Sequence, residues 1–85
     1  MTRREKLLNG ICANPRDVRF EDACRAAEII GYRGGSGKGS HRAFQRAGDP
    51  IGLNFQMGKD GKIPAYQGRQ LAAAIKRFLD DDTRE

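Results

Sequence analysis

The segment His41-Arg42-Ala43-Phe44-Gln45-Arg46-Ala47-Gly48-Asp49-Pro50-Ile51-Gly52-Leu53-Asn54-Phe55-Gln56 decides the fold. Its second half alternates strictly, with Ile51, Leu53 and Phe55 on one side and Gly52, Asn54 and Gln56 on the other. That is the period of a half-buried strand. The stretch from His41 to Ala47 reads as its partner, joined through a Gly48-Asp49-Pro50 turn. Phe44 shares the apolar face. His41, Ala43 and Gln45 then fall on the opposite, open face, together with Asn54 and Gln56.

Working outward, Tyr32-Arg33 starts an extended segment that runs into four glycines within the six residues 34–39. Before it, Phe20 to Ile30 carries an apolar stripe of Phe20, Ala23, Cys24, Ala27 and Ile30, which predicts a helix ended by Gly31. Arg3 to Ala13 predicts a shorter helix, stopped by Asn14-Pro15. After the strands, Gly58 to Lys62 is a turn, with a short extended piece expected at Ile63. Tyr66 to Leu79 predicts the last helix, burying Leu71, Ala74, Ile75, Phe78 and Leu79; Gly68 in its first turn weakens it slightly. The three acids 80–82 oppose the macrodipole, so the helix is expected to end before them and 80–85 to form a mobile acidic tail.

The order is helix, helix, three antiparallel strands, helix. It predicts an α+β fold with helices on one sheet face: a double-stranded-RNA-binding-like arrangement (α-β-β-β-α) with an extra N-terminal helix. The 85 residues suffice for one domain spanning 1–85, of which 1–18 form the front helix and linker. No apolar run approaches a membrane span, and the charged first residues lack the apolar stretch of a signal peptide, so a cytoplasmic protein is expected. Cys12 and Cys24 are read as free thiols. One histidine and no Cys-x-x-Cys leave no protein-only zinc site, and no cofactor is expected.

The net charge of +5 is unevenly spread. Residues 33–77 carry +7 and the remainder −2. A concentrated basic half points to a polyanion, nucleic acid first. Arg3, Arg4, Lys6, Arg16, Arg19 and Arg25 read as solvated surface.

The glycine loop holds one lysine, but it is not a nucleotide loop. A Walker motif needs a glycine and a hydroxyl residue where Tyr32 and Gly39 stand, and the loop leads into a strand. Its alternative use is to bind a phosphodiester. Lys38, Ser40, His41 and Arg42 are contiguous, with Arg33 and Arg46 expected nearby. Glycine N–H groups and cations can hold nonbridging oxygens while a histidine moves a proton at neutral pH.

Gly37-Lys38-Gly39-Ser40-His41-Arg42-Ala43-Phe44 resembles the Gly-Lys-Gly-Ser-His signature of HicA-type toxins, small mRNA interferases of bacterial toxin–antitoxin operons. The likeness extends over about residues 14–79. It includes Asn14 to Val18, Phe20-Glu21-Asp22, Gly31-Tyr32, and Tyr66-Gln67 before Arg69-Gln70-Leu71. Arg19 departs from it, standing where a capping Ser or Thr is usual. The resemblance implies metal-independent cleavage of mRNA, His41 as the catalytic residue, and a HicB-type antitoxin covering the site. Lys38 carries over as an RNA contact, and Gly39 and Ser40 as its neighbours in the loop.

The residues themselves admit one proton carrier of that type. In the expected reaction His41 serves the attack of a ribose 2′-hydroxyl on the adjacent phosphate, as base or as acid. Lys38 and Arg42 stabilise the phosphorane, and water, Tyr32 or the solvent around the leaving group carries the other proton. A non-catalytic RNA-binding module is the competing reading, although the last helix starts with a single cation, Arg69, rather than a lysine cluster. An adaptor domain whose basic face meets an acidic protein is a third reading, and an antitoxin would supply such a face.

Overall fold

A computed structural model describes residues 2–36 and 41–82. The elements are α1 (Arg3–Ala13), α2 (Phe20–Ile29), β1 (Arg33–Ser36), β2 (His41–Arg46), β3 (Asp49–Gln56) and α3 (Ala65–Asp82). The strands form one antiparallel sheet in the order β1-β2-β3. This is the expected α+β architecture, compatible with a double-stranded-RNA-binding-like fold preceded by one helix. No described helix is long and apolar enough to cross a membrane.

The helices begin and end for local reasons. Thr2 caps α1 by accepting from the Glu5 N–H at 3.2 Å. In α2, Glu21 and Asp22 occupy the first turn, where they favour the helix dipole. Arg19 gives α2 no side-chain cap. One of the free amides at that end is satisfied instead across the chain, Phe20 N–H donating to Gly61 O at 2.9 Å. Gly31, at φ 99°, closes α2: its N–H meets Glu28 O and that of Tyr32 meets Ala27 O, the paired bonds of a glycine-terminated helix.

Phe20, Ala23, Ala26, Ala27 and Ile30 from the α2 segment meet Phe44, Leu53 and Phe55 from the sheet and Leu71, Ala74 and Ile75 from α3. Phe44 and Phe55 tilt against each other with ring centroids 5.7 Å apart. The front helix adds Leu8 and Ile11 to this core and packs chiefly on α3.

Three boundaries differ from expectation. The chain turns at Ala47-Gly48, so Asp49 and Pro50 already belong to β3. Proline is tolerated there because β3 is an edge strand and Pro50 lies near its start. The piece before Ile63 pairs not with β3 but with the linker: Arg19 bridges Lys62, and Ile63 N–H donates to Val18 O at 3.0 Å. Finally, α3 continues through Asp82 rather than stopping at Leu79. Extending an established helix by one residue gains a hydrogen bond at little cost, and a macrodipole penalty of about 0.3–1 kcal/mol per exposed acid is too small to stop it.

Candidate functional site

The face of the sheet turned away from the helices is open and polar. His41 and Gln56 are register partners on it, as are Ala43 and Asn54. His41, Gln45, Asn54 and Gln56 are all exposed. On the other face the partners Phe44 and Leu53 are buried. The expected placement of the histidine therefore holds.

The surroundings of His41 follow from the hydrogen bonds at the β3 edge. Gln56 N–H points away from β2 and donates to Gln67 Oε1 at 2.9 Å. His41 and Gln56 thus form a non-hydrogen-bonded pair, the kind whose side chains stand closest, with Cα atoms about 4.5 Å apart. Gln67 is only 5% exposed. Its Nε2 donates to the Tyr66 hydroxyl at 3.2 Å. One buried amide therefore ties the strand end beside His41 to Tyr66, an exposed aromatic at the start of α3. Among the described residues nothing hydrogen-bonds or ion-pairs with the His41 ring.

Arg42 does not join His41. Alternation sends it to the helix side, where its register partner is Phe55. Its Nη1 donates to Gly35 O at 3.0 Å, and it lies near Phe20, Glu21 and Cys24. Arg42 clamps the glycine end of β1, at the base of the loop, instead of facing a phosphate held by His41. Lys38, Gly39 and Ser40 lie outside the described residues.

Arg33 and Arg46 come together, but away from His41. They line one hollow with Gly31, Gly34, Gln45, Ala47 and Gly52. Arg46 sits at the opposite end of β2 from His41, about 17 Å away at 3.4 Å per residue. Strict alternation would turn Arg46 to the helix side with Phe44. A register shift between Phe44 and Arg46 places its extra residues on β3, so Asp49 becomes the register partner of Arg46. The Arg46 guanidinium carbon stands 5.9 Å from the centre of the Tyr32 ring. Tyr32 itself is 2% exposed and precedes Arg33 at that same far end, so it cannot exchange protons with a substrate at His41.

Both cysteines are free and half-buried. Burial pushes each thiol above its ordinary pKa, against the weaker pull of Lys76 on Cys12 and of Arg42 on Cys24. Neither is an activated nucleophile. Among the described residues no three His, Cys, Asp or Glu side chains gather as a metal site.

Gln67 is a residue of the site to which the sequence pattern assigned no structural role. A glutamine at the head of a helix has no periodicity to mark it as buried. Its weight comes from an edge N–H that exists only once β3 is in place. Comparison with family models, curated proteins and solved structures gives no match for this chain.

Proposed function

We propose that this chain is a metal-independent endoribonuclease that cleaves mRNA, the toxin of a type II toxin–antitoxin pair, with His41 as its catalytic residue. The observation that carries the reading is the position of His41: exposed on an open polar sheet face, beside Gln56, directly after the Gly-Lys-Gly-Ser loop. The signature segment supports the same assignment.

In the proposed reaction the ribose 2′-oxygen attacks the adjacent phosphorus and the bond to the 5′-oxygen breaks. His41 moves one of the two protons, from the 2′-hydroxyl or to the departing 5′-oxygen, and water carries the other. Lys38 and the loop amides neutralise the phosphorane charge. The products are a 2′,3′-cyclic phosphate and a 5′-hydroxyl. DNA, lacking the nucleophile, is not cut. A HicB-type antitoxin inhibits by covering the His41 face, and an acidic surface suits the basic half of the chain.

The test is cleavage of RNA in EDTA by the wild type and by His41→Ala, with end-group analysis. Wild-type cleavage leaving cyclic phosphate, absent in His41→Ala, is the expected result. Cleavage by the variant overturns the role of His41. Salt-sensitive binding without cleavage by either protein moves the chain to the non-catalytic RNA-binding class.

A further inference from the structure

We propose that Tyr66 is a base-stacking platform, whose ring holds the base of a nucleotide beside the scissile phosphate while His41 acts on that phosphate. This rests on the ribonuclease reading and deepens it, because it makes the substrate a strand with an unpaired base.

Three observations converge on Tyr66. The first is its surface. Tyr66 is 54% exposed, the most exposed large hydrophobic side chain among the described residues. Met57, the other such side chain, lines a hollow with Phe20 and Gly61. The Tyr66 ring has no aromatic or cation–π partner among the described residues. The second is its tether. The Tyr66 hydroxyl accepts from Gln67 Nε2 at 3.2 Å, and buried Gln67 is itself fixed by accepting the Gln56 N–H at 2.9 Å. A ring held at its tip is oriented before a ligand arrives, so less side-chain freedom is lost on binding.

The third is its place. β3 is an edge strand, and strand N–H groups point sideways within the sheet. The Gln67 amide that meets Gln56 N–H therefore stands at the sheet margin, level with the end of β3. On the other side of Gln56 is His41, its register partner on β2. A path across the strands from His41 passes Gln56 and leaves the sheet at Tyr66. Two hydrogen bonds and one amide group span the last part of that path. A phenol has no charge with which to hold a phosphate, but its ring matches the flat face of any base. In a duplex those faces are stacked on one another, so the platform takes single strands. Exposed Gln56 and Asn54 beside the path carry amides suited to base edges.

The chain has two tyrosines and no tryptophan, and Tyr32 is buried, so quenching of tyrosine emission by a ligand reports on Tyr66. The experiment titrates full-length His41→Ala with a single-stranded octanucleotide RNA and with an abasic ribose–phosphate octamer. It reads tyrosine fluorescence and the anisotropy of labelled RNA. The octanucleotide is expected to quench and the abasic octamer is not. Tyr66→Ala in the same background should bind the octanucleotide about tenfold more weakly, as the loss of one base–aromatic stack requires. Its salt slope should not change, because no phosphate contact is removed. Tyr66→Phe loses the same hydrogen bond from Gln67 but keeps the ring, so it should bind like its parent. If Tyr66→Ala does not fold, quenching of the unaltered ring carries the test. Absence of quenching, or an equal loss in Tyr66→Ala and Tyr66→Phe, overturns the platform. Full RNA affinity in Tyr66→Ala also overturns it and leaves the exposed ring to a protein partner. Base-dependent quenching by a wild type that does not cleave RNA refutes the nuclease reading and leaves the platform standing. No RNA binding by any form refutes both.

Discussion

Two helical glycines with opposite surroundings give a stability test whose sign differs between propensity and structure. Gly10 lies in α1 with no atom within 4 Å of where a Cβ would be. Gly68 lies in the first turns of α3, and a Cβ there would fall inside the van der Waals envelope of Pro15 O and within 3.0 Å of its carbonyl carbon. Carbon pairs rest at about 3.5–4.0 Å, so the linker would have to retreat by about 0.5 Å for that carbon and further for the oxygen. Helix propensity alone predicts that Ala stabilises either position by about 1 kcal/mol. At Gly10 that gain stands, about 0.5–1 kcal/mol. At Gly68 it is opposed by overpacking against main chain, about 1–3 kcal/mol. The expected net result for Gly68→Ala is a loss of about 1–2 kcal/mol. For a domain of this size each kcal/mol moves Tm by about 4–8 °C. Thermal unfolding followed by far-ultraviolet circular dichroism reads both variants. A Gly68→Ala protein as stable as the wild type would refute the close packing of α3 on the linker.

Gln67→Leu should lower stability by about 1–3 kcal/mol, read by urea unfolding, because it leaves the Gln56 N–H without its acceptor. Phe44→Ala, which removes a buried ring from the centre of the sheet, should cost about 3–5 kcal/mol in the same assay. Both thiols have raised pKa values, so at any given pH their thiolate fraction is below that of an exposed cysteine. Alkylation by iodoacetamide at mildly alkaline pH should accordingly be slower than for an unstructured cysteine peptide, and the rate should climb with pH along a curve displaced upward; an equal rate would refute the burial. Arg42→Ala should weaken RNA binding less than Lys38→Ala does, since Arg42 spends its guanidinium on Gly35 O. The reverse order in an anisotropy titration would return Arg42 to the RNA-facing set.

Periodicity carried much of the fold. The alternation from Ile51 to Gln56 separates buried Leu53 and Phe55 from exposed Asn54 and Gln56, and places His41 on the open side with them. What periodicity could not carry was any departure from itself. The register shift before Arg46 depends on how the Ala47-Gly48 turn closes, and it adds residues to β3 without a local signature. The same limit explains Arg42, since residues adjacent in sequence looked like one cluster although a strand sends neighbours to opposite faces. The missing cap at Arg19 and the buried Gln67 each find partners far along the chain, Gly61 and Gln56, which no local window contains.

The stitching of residues 18–20 to 61–63 has a mechanical consequence. It closes a ring of chain around α2 and the whole sheet, while α1 and α3 emerge outside it and lie against each other. A force applied at the two ends, as an unfolding motor of a protease applies it, is therefore borne first by the α1–α3 contact. Once those helices separate, the load reaches Arg19 and Lys62, where the short bridge and the Lys62–Asp17 ion pair at 2.6 Å act as a latch. The ring behind the latch carries no tension until it opens. Extension should thus show two rupture events, with the sheet that bears His41 released only in the second.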